Sequence, residues 1–408
     1  MRPRSVGRTI LAVVAGVILG TSIMVAAETL SEDDRVAIVE APQPSAPSPP
    51  AAPRREPVRT VLLAWTPGGL PASAERSIEA IAGVRDATTV VAGLEWIRTS
   101  EKPDGTRLDP PPGLAIPFEV AVVEPGEYAR FVSPSEAPIV AALRPGEILM
   151  PDTGQELRDA GRGLRIVTTA DADGGTGMTT RTVTGVISDR ATNGYEALVA
   201  APAARDWSGS DRFVLAHLRA SARPRRIERR VRSLLDPGRR LRVRLQGESP
   251  FLRYGDAVLP QLIIKQDLGE FAARPTDTGA LKVDERWRRS SIRAAAVPIL
   301  GTVTCHRRLF PRLRSALTEL RSAGLAYLVD PGDYGGCYSP RFVGTSSSAR
   351  LSHHSWGMAI DVNVAENAFG TKPDQDPRVV RIFEKNGFTW GGRWLIPDGM
   401  HFEWARFP

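Results

Sequence analysis

The chain has 408 residues, 42% of them hydrophobic and 24% charged, which excludes a collagen-like or wholly disordered polymer. That length exceeds what one ordinary core fills and points to two or three domains. The formal net charge of +7, carried mostly by arginine, favours polyanionic surroundings without choosing among nucleic acid, anionic lipid and wall polymer.

Arg2, Arg4 and Arg8 precede an uncharged run from Thr9 to Ala27, and Glu28, Glu32, Asp33 and Asp34 follow it. A run of this kind, on the order of 20 residues, is long enough to cross a bilayer as a helix. The flanking charges orient it with the N-terminus inside. Residues 1–30 are therefore read either as a membrane anchor helix or as a signal peptide, with Val25-Ala26-Ala27 suited to a signal-peptidase cut. Both readings place the remainder outside the cytoplasm, membrane-anchored or secreted, where nucleic acid is not an expected partner. An exported chain with two cysteines, Cys305 and Cys337, is expected to bridge them; the alternative is a pair of buried thiols.

Residues 31–57 include APQPSAPSPPAAPRREP, a Pro/Ala-rich linker that cannot build a core and should be an extended spacer. Residues 58–202 read as a mixed α/β domain of unknown role. VRTVLLAW, ATTVVAGLEWI, GLRIVTTA and RTVTGVIS are strand-like, and Ser73 to Ile81 has helical periodicity. The βαβ start and the PGEILMPDTGQELRDAG segment resemble extracytoplasmic domains of bacterial transporter permeases. Residues 203–248 form an Arg-rich connecting segment, which is either a contact for anionic wall polymer or lipid headgroups, or a solvated helix face.

Residues 249–408 show an α+β pattern. Pro311 to Ser322 should be a helix with Leu313, Ala316, Leu317 and Leu320 on its apolar face and Gly324 at its end. A second helix should open at Asp376-Pro377, bury Val379, Val380 and Phe383, and close at Gly387. Four of the five histidines lie here. Three of those four fall in two short motifs, Ser352-His353-His354-Ser355-Trp356-Gly357-Met358-Ala359-Ile360-Asp361 and Asp398-Gly399-Met400-His401-Phe402-Glu403-Trp404. After Gly357 the chain alternates, with Met358, Ile360 and Val362 on one face and Asp361 on the other. His401 and Glu403 likewise oppose Phe402 and Trp404. Strands paired side by side could present His354, Asp361 and His401 together. Two imidazoles and a carboxylate suit one zinc ion and leave a fourth position for water. A carboxylate must then move the proton; Asp398 is the first candidate and Glu403 the reserve. His353 is expected to point away from the ion and His306 to be structural, while His217 lies in the basic segment with no metal partner nearby in sequence.

These motifs resemble the LAS zinc peptidases, which include D-alanyl-D-alanine carboxypeptidases and L-alanyl-D-glutamate endopeptidases. The family pattern is Ser-x-His, Gly-x-Ala-x-Asp and Asp or Glu-x-x-His, matched here by Ser352 to His354, Gly357 to Asp361 and Asp398 to His401. The resemblance implies a C-terminal LAS-type metallopeptidase domain with a small antiparallel sheet and flanking helices. It implies His354, Asp361 and His401 as zinc ligands and Asp398 as general base. It also implies that Arg341 stabilises the tetrahedral intermediate or binds a substrate carboxylate, while Ser352 orients substrate. The expected activity is hydrolysis of peptidoglycan stem peptides in a bacterial cell envelope, with the cytoplasmic membrane met through the N-terminal helix. The alternative is a membrane-anchored wall-binding or scaffolding protein with an inactive site.

Overall fold

The computed structural model describes residues 60–170, 177–200, 211–234, 238, 240–248, 252–343 and 350–406. The N-terminal run Thr9 to Ala27 and the Pro/Ala-rich linker lie outside the described residues. Among those described, no helix is long and apolar enough to cross a membrane.

The first strand, β1 (Val61–Trp65), reads VLLAW and is buried throughout, because Val61, Leu63 and Trp65 pack into one core on one face and Leu62 and Ala64 into another on the opposite face. Eight more strands complete that sheet: β2 (Val84–Glu101), β3 (Ile116–Val123), β4 (Glu147–Pro151), β5 (Arg165–Thr169), β6 (Thr179–Ile187), β7 (Ala197–Ala200), β8 (Asp211–Leu218) and β9 (Arg242–Leu245). Their order is β3-β7-β4-β6-β5-β2-β8-β1-β9, and a further pairing of β3 with β2 closes six of them into a ring. Long β2 makes this possible. Its first half pairs with β8 from Val84 to Ala92, and its second half pairs with β3 and β5 on opposite sides. Phe118, Ile148, Met150, Ile166, Val183 and Val199 are buried together from the strands of the ring.

The Arg-rich stretch is not a bare connector. It supplies β8, β9 and the helix Pro224–Leu234, which buries Ile227 and Val231 against β1 and leaves Arg225, Arg226, Arg229 and Arg230 exposed. The i, i+4 spacing of the two apolar residues leaves the rest of that helix to solvent.

In the C-terminal half, β10 (Ala273–Pro275) pairs with β11 (Leu281–Val283), and β12 (Ile292–Val297) with β13 (Gly301–His306). The sheet that matters for chemistry has four antiparallel strands: β14 (Tyr334–Gly336), β15 (Ala359–Val362), β16 (Phe388–Trp390) and β17 (His401–Trp404), ordered β14-β15-β17-β16. The helix Phe310–Ser322 buries Leu313, Ala316, Leu317 and Leu320 completely, as their spacing predicts. Each such leucine contributes about 2 kcal/mol by leaving water. The helix Pro377–Lys385 starts on Asp376, whose carboxylate accepts from Arg378 N at 2.7 Å.

Residues Glu56–Pro408 pack as one compact unit. Leu94, Trp96 and Ala115 of the large-sheet half belong to the same buried cluster as Phe271, Leu313, Trp356 and Phe402. A buried ion cluster crosses the same boundary. The Lys265 ammonium lies 2.9 Å from Glu196 and 3.0 Å from Glu270, and Arg158 contacts both carboxylates.

Candidate metal centre

His354 stands in a 3-10 turn, His353–Trp356, that Ser352 caps by accepting the His354 N–H at 3.3 Å. The turn ends at Gly357 in the left-handed region, φ 65°. A β-carbon there would come within 2.7 Å of the His306 amide nitrogen, so this close crossing of two backbones requires glycine. The chain then enters β15, whose Asp361 lies directly opposite His401 of β17. The alternation read from the sequence thus sets a carboxylate beside an imidazole, and the turn folds His354 over both.

His354 Nε2, Asp361 Oδ1 and His401 Nδ1 lie 3.1 Å from one another, and all three side chains are buried. The other edge of each ring decides what these atoms are. His354 Nδ1 is 2.9 Å from the Cys337 carbonyl oxygen, which can only accept, so Nδ1 carries the proton and Nε2 of the neutral ring is bare. His401 Nε2 lies 3.5 Å from Glu403 Oε2 without a hydrogen bond among the described residues, and the charge of that carboxylate favours a proton on Nε2. With a neutral His401 ring, two nitrogen lone pairs and a carboxylate oxygen meet at one point, an arrangement suited to a cation at its centre. Tetrahedral zinc with bonds of about 2.0–2.1 Å spaces its ligand atoms roughly 3.3 Å apart, close to the spacing here. The residues fit one ion. Without it, burial disfavours a charged His401 ring, but the hydrogen bonds and charges of Asp361 and Glu403 outweigh burial and raise its pKa to about 10. Burial dominates at His354 and lowers its pKa.

Glu403, the reserve base, is placed behind His401. Its carboxylate also takes His353 Nδ1 at 2.7 Å and the Val258 N–H at 3.0 Å. His353 accordingly faces Glu403, whose carboxylate is engaged by His353 and Val258 and stands behind the His401 ring. Asp398 is different. Its Oδ1 is buried with no hydrogen-bond partner among the described residues, and burial raises its pKa. It follows the loop that starts at Gly391, where Asp398 N donates to Gly391 O at 3.0 Å. Arg341 reaches within 3.9 Å of Asp361 Oδ2 and keeps 40% of its side chain exposed. Cys305 and Cys337 are bridged, with Cα atoms 5.4 Å apart. His306 is buried on Gly357's backbone and His217 stacks on Phe131 at 4.1 Å; neither approaches the centre.

A cavity of about 330 Å³ opens over the cluster. Arg341, Ser352, His354, Asp398 and His401 line it, and so do Trp65, Pro67, Arg253, Tyr254 and Asp256. That second wall escaped the motif reading, because no local pattern announces which distant residues will cover a cleft.

The arrangement defines a buried His-Asp-His centre with an adjacent free carboxylate and a cationic flank, the class of site that metal-dependent hydrolases use. A family model described as D-alanyl-D-alanine carboxypeptidase, Peptidase_M15_4, matches residues 345–404, so the LAS-type likeness holds for the C-terminal region. No curated protein matches the chain. Among solved structures, the periplasmic region of MacB from Actinobacillus actinomycetemcomitans aligns at 8% identity and a TM-score of 0.29, covering 46% of this chain and 89% of that one. A domain assigned to a permease protein of Porphyromonas gingivalis aligns at 13% identity and 0.29, covering 50% and 94%.

Proposed function

We propose that the protein is a zinc-dependent peptidase that hydrolyses peptide bonds in peptidoglycan stem peptides, as a D-Ala-D-Ala carboxypeptidase or an L-Ala-D-Glu type endopeptidase. The convergence of three lone pairs from His354, Asp361 and His401 carries this reading, and the family match over residues 345–404 supports the reaction class. His354 Nε2, Asp361 Oδ1 and His401 Nδ1 would hold the ion. A bound zinc supplies a water acidified to a pKa of roughly 7 and a Lewis acid for the scissile carbonyl. Asp398 takes the proton from the attacking water and passes it to the leaving amine; its buried, unpartnered oxygen is suited to both steps. Arg341 steadies negative charge as it develops beside the cluster. Glu403 holds the His401 ring in its metal-binding tautomer. Ser352 lines the approach and fixes the turn that carries His354. On this reading the protein works outside the cytoplasm of a bacterium, with residues 1–57 as leader or anchor and spacer, and its Arg-rich helix facing anionic wall polymer.

The test is digestion of purified peptidoglycan by the full chain, with and without chelator, followed by mass analysis of released fragments. Chelator-sensitive release of D-Ala or of cut stems is expected, and the fragment masses identify the bond. His354→Ala should lose bound zinc and release together; unchanged release from that variant would overturn the assignment.

A further inference from the structure

The cavity has a second guanidinium that the proposed reaction does not use. Arg341 and Arg350 lie on two segments joined by an antiparallel bridge. Phe342 bridges to Leu351, Ser352 N donates to Arg341 O at 3.0 Å, and Val343 N donates to Arg350 O at 2.7 Å. Side chains alternate between the faces of paired strands. Phe342 and Leu351 are buried in the core, so Arg341, Val343, Arg350 and Ser352 share the opposite face, and all four line the cavity. Arg341 sits at the metal end. Arg350 sits two residues further along, a step of about 7 Å.

Arg350 is held ready by the large-sheet half of the molecule. Its guanidinium lies over the Tyr254 ring, 5.2 Å from the centroid, against Gly255, where any larger side chain would strike it. Its nearest carboxylate, Asp211, is 3.7 Å away, beyond hydrogen-bond reach, and burial raises that group's pKa. The other carboxylates of this wall are engaged. Glu119 takes Arg253 at 2.7 Å, and Asp256 takes the Leu395 N–H at 2.6 Å and Arg242 at 3.1 Å. Among the described residues, a fork with five donors is therefore offered to the cavity with one loose ion pair.

We propose that Arg350 is a second carboxylate-binding subsite, and that the cleft selects a peptide carrying an internal carboxylate about two residues, roughly 7 Å, from the group held at Arg341. The proposal rests on the peptidase reading for the identity of the peptide, and its geometry stands apart from the metal. The subsite residue Arg350 thus belongs to the C-terminal half and is held there by Tyr254, whose ring packs on Trp65 in the large-sheet core.

The test uses the full chain and two synthetic stem pentapeptides, one with its D-glutamate α-carboxylate free and one with that group as a carboxamide. Cleavage kinetics are measured on the loaded protein and binding by calorimetry on chelator-treated protein. The free carboxylate should be preferred at least tenfold. Arg350→Gln should erase the preference through KM, leave kcat within about threefold, and leave the carboxamide peptide untouched. Arg350→Lys, which keeps a point charge without the fork, should retain part of the preference and serves if the glutamine variant fails to fold. Equal handling of both peptides, or equal loss on both in the variants, overturns the subsite. Cleavage without preference leaves the hydrolytic reading standing and removes the subsite. An Arg350-dependent binding preference without cleavage does the reverse.

Discussion

His354 donates to the Cys337 carbonyl, which leaves Nε2 of its neutral ring bare, while the Glu403 carboxylate stands 3.5 Å behind His401 Nε2. That His354, Asp361 and His401 would meet could be read from alternation and motif. Their supports could not, because Glu403 is tied to Val258 and His353 by contacts across the fold. Asp398 differs from Glu403 in that its Oδ1 has no hydrogen-bond partner among the described residues, which on the proposed reading leaves it available to carry a proton. Asp398→Asn should bind zinc as tightly as wild type by metal analysis and lose on the order of 10²–10⁴ in turnover. A second expectation concerns His306, which burial keeps neutral, its pKa lowered from 6.5 to about 4. The folded protein then binds fewer protons than the unfolded chain between those values. Stability is full above the unfolded pKa and falls as the pH drops from 6.5 towards 4, by up to about 3 kcal/mol. Thermal melts of His306→Gln across that window should show a shallower decline than wild type.

At the scale of elements, the helices Phe310–Ser322 and Pro377–Lys385 were legible because capping residues and 3.6-residue periodicity coincide in each. Strands β1, β2, β5 and β6 were legible from their apolar runs. The strands of the Arg-rich stretch were not, since charge masked the pattern. Val243 and Arg244 of β9 sit in a register set only by β1. The Cys305–Cys337 bridge joins β13 to the segment just after β14, at the residue whose carbonyl orients His354. Its sequence separation of 32 corresponds to a loop constraint of roughly 4 kcal/mol. Reduction should therefore lower the melting temperature and also weaken zinc retention, measured by competition with a chromogenic chelator. A drop in stability with unaltered metal affinity would sever the cystine from the site.

For the whole molecule, the two halves share one core and one buried ion cluster. Lys265 is fully buried between Glu196 and Glu270, so Lys265→Ala leaves both carboxylates without that ammonium and should cost about 3–5 kcal/mol. Denaturant melts should show this as a single cooperative transition shifted to lower midpoint. Two separate transitions would instead mean that the halves unfold independently. The sequence suggested boundaries near residues 202 and 248, where composition changes. Packing ignores them, because Trp96 fills the C-terminal core from a strand far upstream. It follows that this C-terminal half is not a portable cassette. Grafted elsewhere, or inherited alone in another lineage, it would have to replace the indole ring of Trp96 and its neighbours with side chains of its own. Shuffling experiments that swap the C-terminal region should succeed only when β2 and β3 travel with it.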